Sequence, residues 1–234
     1  MSLERTKTNW ICAALVAAIA GTSPLVSNAQ PGDKAPSAEG QPADQGDGGP
    51  VRVGDRWVYD TKDELTGDPK DTYTEVVTEI SPSDIVTNWT FSGKPGSSVV
   101  IYDHDWQRKD NIVWKFKPND GQGVRMPLAI GKAWRVQFDA RNTQTGVNFK
   151  SSLSSKVVGK ETITTSAGTF DTFKIERTGT QFRTTDPSRV FQSQMAVWYA
   201  PEINHWVRRT TTLKYQKHVT SSTSEELSDF SRAF

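Results

Sequence analysis

From residue 51 onward, apolar and polar positions alternate with a period of two in run after run: 71–80, 85–91, 98–102, 111–116, 133–140, 147–158, 173–177, 190–199 and 206–215. Successive side chains of an extended chain point to opposite faces, so this period predicts half-buried strands. The runs are rich in Val, Ile, Thr, Phe, Tyr and Trp, which suit a pleated surface. No segment carries the stripe of an amphipathic helix. Between the runs lie short polar turns. Ser166-Ala167-Gly168-Thr169 separates two alternating stretches and predicts a hairpin with Gly168 at positive φ, and Pro201-Glu202-Ile203-Asn204 predicts a second reversal. Consecutive antiparallel strands of this kind make a meander, and the expected fold is all-β: a curved sheet or an incomplete β-barrel.

The pattern begins only at Val51. Before it, Arg5 and Lys7, a short apolar run over 11–20 and Ser27-Asn28-Ala29 read as a secretory signal peptide over residues 1–29, cleaved after Ala29. The run falls well short of the roughly twenty residues a membrane-spanning helix needs, so no span is expected in the mature chain. Cys12 stands at the start of the apolar run instead of following it, which argues against lipid attachment and leaves the mature chain without cysteine. Residues 30–50 are dominated by Gly, Pro, Ala, Ser, Gln and Asp with little to bury, and predict a disordered linker to one domain over 51–234. Loss of the signal leaves 26 basic and 26 acidic side chains, a balance that offers nucleic acid no clustered charge to bind. The expected location is periplasmic or secreted.

Candidate chemistry is sparse. Tyr102-Asp103-His104-Asp105-Trp106 is the densest polar cluster, but on a strand its carboxylates and its imidazole face opposite ways, so it reads as a strand end or loop. His205 and His218 have no acidic or nucleophilic neighbour in sequence, and no nucleophile elbow is present. A histidine that met a carboxylate and a hydroxyl in space would point to an enzyme. Asn119-Asp120-Gly121, with Gly123, reads as a hairpin turn because it lacks the ligand spacing of a calcium loop. Neither a metal nor a cofactor is expected. Among the tryptophans, Trp57, Trp134, Trp198 and Trp206 sit in strand patterns and read as packing, whereas Trp106 and Trp114 fall in a more polar half and are the candidate ligand-binding residues.

Four stretches carry a resemblance: Pro127-Leu128 through Trp134, Val158-Gly159-Lys160-Glu161, Ala167-Gly168-Thr169-Phe170 through Ile175, and Trp198-Tyr199-Ala200-Pro201-Glu202. In this order they resemble a broad set of exported bacterial β-proteins of unknown function. The resemblance implies a curved antiparallel sheet or incomplete barrel in the periplasm and supplies no catalytic residue. The functional expectation is a non-enzymatic binding protein for an apolar or amphiphilic small molecule, a lipid or a lipid-bearing partner. An envelope structural or protein-interaction module is the alternative, and a hydrolase ranks last.

Overall fold

A computed structural model describes residues 49–233. The expected signal peptide over 1–29 and nearly all of the expected linker lie outside the described residues. The domain is built from β1 (Arg56–Asp63), β2 (Pro69–Ile80), β3 (Ile85–Phe91), β4 (Ser98–Tyr102), β5 (Arg108–Asp110), β6 (Trp114–Lys117), β7 (Ala133–Asn142), β8 (Asn148–Thr165), β9 (Gly168–Arg183), β10 (Asp186–Ala200), β11 (His205–Tyr215) and β12 (His218–Ser231), with a 3-10 turn at Pro201–Ile203 before β11. Every strand pairs antiparallel with its neighbours in sequence, and β12 pairs with β1. The meander thus closes. The expectation of an incomplete barrel is corrected to a closed one.

The expected sheet stayed open because its last strand is almost unreadable as a strand. β12 is dominated by Ser, Thr and acidic residues, and only Leu227 along it is buried. Its place is fixed instead by backbone pairing on both sides and by charge: Arg208 and Arg209 of β11 meet Glu226 and Glu225 at 2.6 Å, and Arg56 of β1 meets Asp229 at 2.8 Å. At the base of the seam the fully buried Asp55 accepts the backbone N–H groups of Arg52 and Ala233, both at 2.9 Å, tying the two chain ends together.

The barrel's two ends differ. At the end where the chain enters, the segment between β6 and β7 folds inward, burying Val124 and Leu128. Arg177, pointing inward from β9, donates to the carbonyls of Gln122 and Gly123. Gly123 lies so close to the Asp105–Gln107 backbone that a β-carbon there would sit 2.0 Å from the Asp105 carbonyl oxygen, so only glycine fits. Asn119-Asp120-Gly121 belongs to this plug and is not a hairpin turn: Asp120 is buried against Arg108 at 3.2 Å. At the opposite end, inward-facing positions such as Thr61, Trp89, Trp114, Gln181, Phe191, Thr211, Tyr215 and Thr223 stay half-exposed. A twelve-stranded closed sheet encloses more width than side chains alone readily fill, so one end is filled by a loop and the other forms a mouth.

The β8–β9 hairpin turns at Ser166-Ala167, and Thr165 pairs with Gly168, whose φ is +138°. Replacing Gly168 with valine forces a β-branched residue into that conformation, and a loss of more than about 1 kcal/mol in stability is expected from equilibrium denaturation of the variant beside its parent.

Candidate functional site

The interior carries an aromatic column running from the plug to the mouth. Strand alternation sends Trp57 and Tyr59 of β1, Tyr73 of β2, Trp89 and Phe91 of β3 and Tyr102 of β4 inward. Trp106, at φ +58° in the β4–β5 turn, inserts edge-on against Trp57 at 5.6 Å and Tyr102 at 5.3 Å. The ring of His205 stacks on Trp57 at 4.4 Å, with Trp206 beside it at 3.8 Å. The column continues through Tyr59 and Tyr73, 5.2 Å apart, to Trp89, which stacks on Tyr73 at 4.6 Å. Phe91 completes it at the mouth, 5.8 Å from Tyr73.

Embedded in this column is a polar centre that sequence reading did not anticipate. Tyr59 has one hydroxyl hydrogen, and it is donated to the Trp206 carbonyl at 2.7 Å. The contact of 2.5 Å between the Tyr59 hydroxyl and His205 Nδ1 therefore requires Nδ1 to carry the proton and donate it. That leaves Nε2 of the neutral ring bare, and it faces Glu75, whose carboxyl lies 3.7 Å away. Glu75 and His205 are both fully buried, and neither the carboxyl oxygens nor Nε2 has a partner in hydrogen-bonding geometry.

Burial pushes the Glu75 carboxyl up to about 7, offset only in part by the approaching polar groups of Trp89, Thr87 and Tyr102 and by the Arg209 charge. Burial, reinforced by Arg209, drives His205 well below the ordinary imidazole range. With Glu75 protonated and Nε2 bare, the centre buries no charge. Tyr59, Tyr73 and Tyr102 are held neutral by burial as well. Nearer the mouth, Arg209 and Glu225 form an ion pair at 2.6 Å, to which Tyr73 adds a hydrogen bond at 2.8 Å.

The carboxylate–histidine–hydroxyl convergence that would point to an enzyme is thus met in distance by Glu75, His205 and Tyr59. It is sealed, however: all three are fully buried. His104 is exposed and touches the Ser81 carbonyl at 2.8 Å, and His218 is exposed on the β11–β12 tip. Nothing in the sequence linked Glu75 to His205, because 130 positions separate them and only barrel closure brings β2 opposite the start of β11.

The two candidate ligand-binding tryptophans are not brought together. Trp106 is enclosed in the column near the plug, whereas Trp114 lies half-exposed at the mouth, 5.8 Å from Phe149. Trp57, Trp134 and Trp206 are core residues as expected. Trp198 packs on the outer sheet face, where it donates to Glu161 at 2.6 Å and lies under Lys174 and Arg208. On the outer wall a groove of about 1000 Å³ is lined by Asp60, Lys62, Thr72, Arg208, Ser224 and Glu226, whose charges largely pair with one another.

No family model and no curated protein matches the sequence. Among solved structures, the chain is similar to a presumed lipoprotein from Parabacteroides distasonis, with 15% identity over 78% of this chain and 97% of that one and a TM-score of 0.53. It is also similar to a presumed exported protein with a YmcC-like fold from Bacteroides fragilis, with 17% identity over 78% of this chain and 98% of that one and a TM-score of 0.52. At these identities the likeness is one of fold: the chain shares the overall fold of these two proteins.

The polar centre makes a pH-dependent prediction. Because the folded carboxyl of Glu75 binds its proton more tightly than an unfolded one, its contribution to stability is full below about 4.5 and is lost as pH rises through about 7. His205, shifted the other way, contributes fully above about 6.5 and loses that contribution as pH falls. Glu75→Gln removes the first effect and keeps a donor toward Nε2. Denaturation measured from pH 5 to 8 should show the variant gaining on its parent as pH rises, by on the order of 2 kcal/mol at pH 8.

Proposed function

We propose that the protein is an exported, non-enzymatic binding protein of the bacterial envelope that takes an amphiphilic ligand in the mouth of its barrel. The observation that carries this reading is the distribution of aromatic rings at the open end. Trp89 and Phe91 on one side, Trp114 and Phe149 on another, and Phe191 and Tyr215 on a third all face inward near the rim, in pairs and mostly half-exposed. Such rings offer an apolar contact surface, while Thr61, Gln181, Ser221 and Thr223 between them offer hydroxyl and amide groups. A mixed lining of this kind suits a molecule with an apolar chain and a polar head. Trp114 contacts the ligand directly in this reading, and Trp106 supports the column from below.

The sealed Glu75–His205–Tyr59 centre supports binding over catalysis on physical grounds. A substrate would have to displace the plug or the aromatic column to reach it, and Tyr59 is far from ionisation at neutral pH. Its neutral, fully buried groups fit a structural role instead, filling the interior of a wide barrel. Export is supported by the signal pattern over 1–29 and by the fold shared with presumed exported proteins.

Titration with a fluorescent long-chain fatty acid, kept below its critical micelle concentration, tests the reading. Binding with quenching of tryptophan emission is expected, weakened about tenfold by Trp114→Leu or Trp89→Leu and unchanged by His104→Ala with His218→Ala. Equal affinity in all these variants, with the fold intact by circular dichroism, would remove the mouth as the site.

A further inference from the structure

The rim of the mouth is chemically lopsided. The tips of β9–β10 and β11–β12 lie side by side, and the β9–β10 tip runs past the last pair between β10 and β11, Phe191 with Tyr215, leaving residues 184–190 exposed. On these two tips stand Arg189, Lys214 and Lys217, of which Lys214 donates to the neutral Gln194 side chain at 3.1 Å, against one acidic residue, Asp186, which already accepts a hydrogen bond from the Ser188 hydroxyl at 2.7 Å. The cations are interleaved with apolar groups. The Arg189 guanidinium lies over both rings of the tip pair, 5.3 Å from Phe191 and 4.9 Å from Tyr215, and Arg183 lies over Phe149 at 5.7 Å. Val190 and Val219 are 36% and 42% exposed on the same tips.

The neighbouring β1–β2 tip has the opposite character. Asp63, Glu64, Asp68 and Asp71 there outnumber Lys62 and Lys70, and most of these charges pair locally or with Lys94. In a chain whose formal charge is nearly balanced, three cations without a salt bridge among the described residues, Arg189, Lys214 and Lys217, therefore gather at two adjacent hairpin tips that also expose aliphatic and aromatic surface.

We infer that these two tips form a docking surface for an anionic lipid bilayer. Charge complementarity supplies the argument for that occupant. Basic side chains near an anionic leaflet are attracted to its headgroups, while aromatic rings and small aliphatic side chains lodge at the boundary between headgroups and acyl chains. Long basic side chains combine apolar stems with charged ends, and at this tip the Arg189 guanidinium rests on the Phe191 and Tyr215 rings, so that charge and aromatic surface occupy one place. Docking by these tips sets the mouth against the lipid surface, so the inference extends the binding reading above without depending on a ligand entering the mouth.

Co-sedimentation of the full chain with vesicles of phosphatidylcholine alone, or with about 30% phosphatidylglycerol, tests it. Binding to the anionic vesicles and its loss in high salt are expected. Lys214→Glu with Lys217→Glu should weaken that binding at least tenfold, and Arg189→Gln alone about fivefold. Lys156→Glu with Lys160→Glu, an equal charge change on the outer wall of β8, should leave it within about twofold. Thermal melts of each variant establish that the barrel is intact. Equal binding to both vesicle types, or equal loss from the β8 pair and the tip pair, would overturn the docking surface. Fatty-acid titration of the Lys214→Glu, Lys217→Glu variant then separates the two readings, since the mouth should still bind when the tips no longer dock.

Discussion

A β-sheet of twelve consecutive strands has two edges, and each edge presents a row of unpaired backbone donors and acceptors that water or another chain must satisfy. In this protein the edges satisfy each other through β1 and β12. The rest of the molecule depends on that closure. Most of the apolar burial lies in the other strands, whereas β12 brings one buried leucine and a row of hydroxyls and acids. What holds it is the complete backbone ladder, reinforced where Arg209, Arg208 and Arg56 meet Glu225, Glu226 and Asp229. Exposed ion pairs contribute little each. The Arg209–Glu225 pair, largely shielded and tied to Tyr73, contributes more and points into the barrel.

Closure creates a second problem, because a barrel this wide must fill its interior. The chain solves it unequally at the two ends. Near the termini, the β6–β7 segment is drawn inside and anchored by Arg177, while an aromatic column packs around His205 and Glu75. Burying a carboxyl and an imidazole is costly unless the proton is placed so that neither carries a charge, and the single hydroxyl hydrogen of Tyr59 dictates that placement. At the other end the strands run on into polar hairpin tips, and the inward rings remain within reach of solvent. The proposed function follows from this asymmetry: the reactive-looking groups are fully buried, and the half-exposed rings at the mouth are the ones proposed to bind.

Much of this was legible in the sequence. The period of two named β2 to β4 and β6 to β11 but missed the three-residue β5, and Gly168 announced its turn because only glycine is at ease at that φ. The composition of β12 concealed it. A strand fixed by backbone pairing and charge leaves no hydrophobic alternation to read, so the sequence pattern suggested an open sheet. Trp198 was legible only as packing for a related reason: alternation gives two faces but does not say which is inside, and this ring is satisfied outside by Glu161, Lys174 and Arg208.

The candidate site lay mostly beyond sequence reading. Strand register decides which residues share a level of the barrel, and register is a property of pairing between distant segments. Glu75 meets His205, Trp106 joins Trp57 and Trp114 stands apart at the mouth only because twelve strands close in one register. Local preferences for extension and for turns are encoded residue by residue, and the sequence therefore determined the all-β meander and its hairpins. Which end is sealed, which histidine is buried with a carboxyl and where the cations gather were decided by the tertiary structure, because each depends on distances that exist only once β1 and β12 have joined.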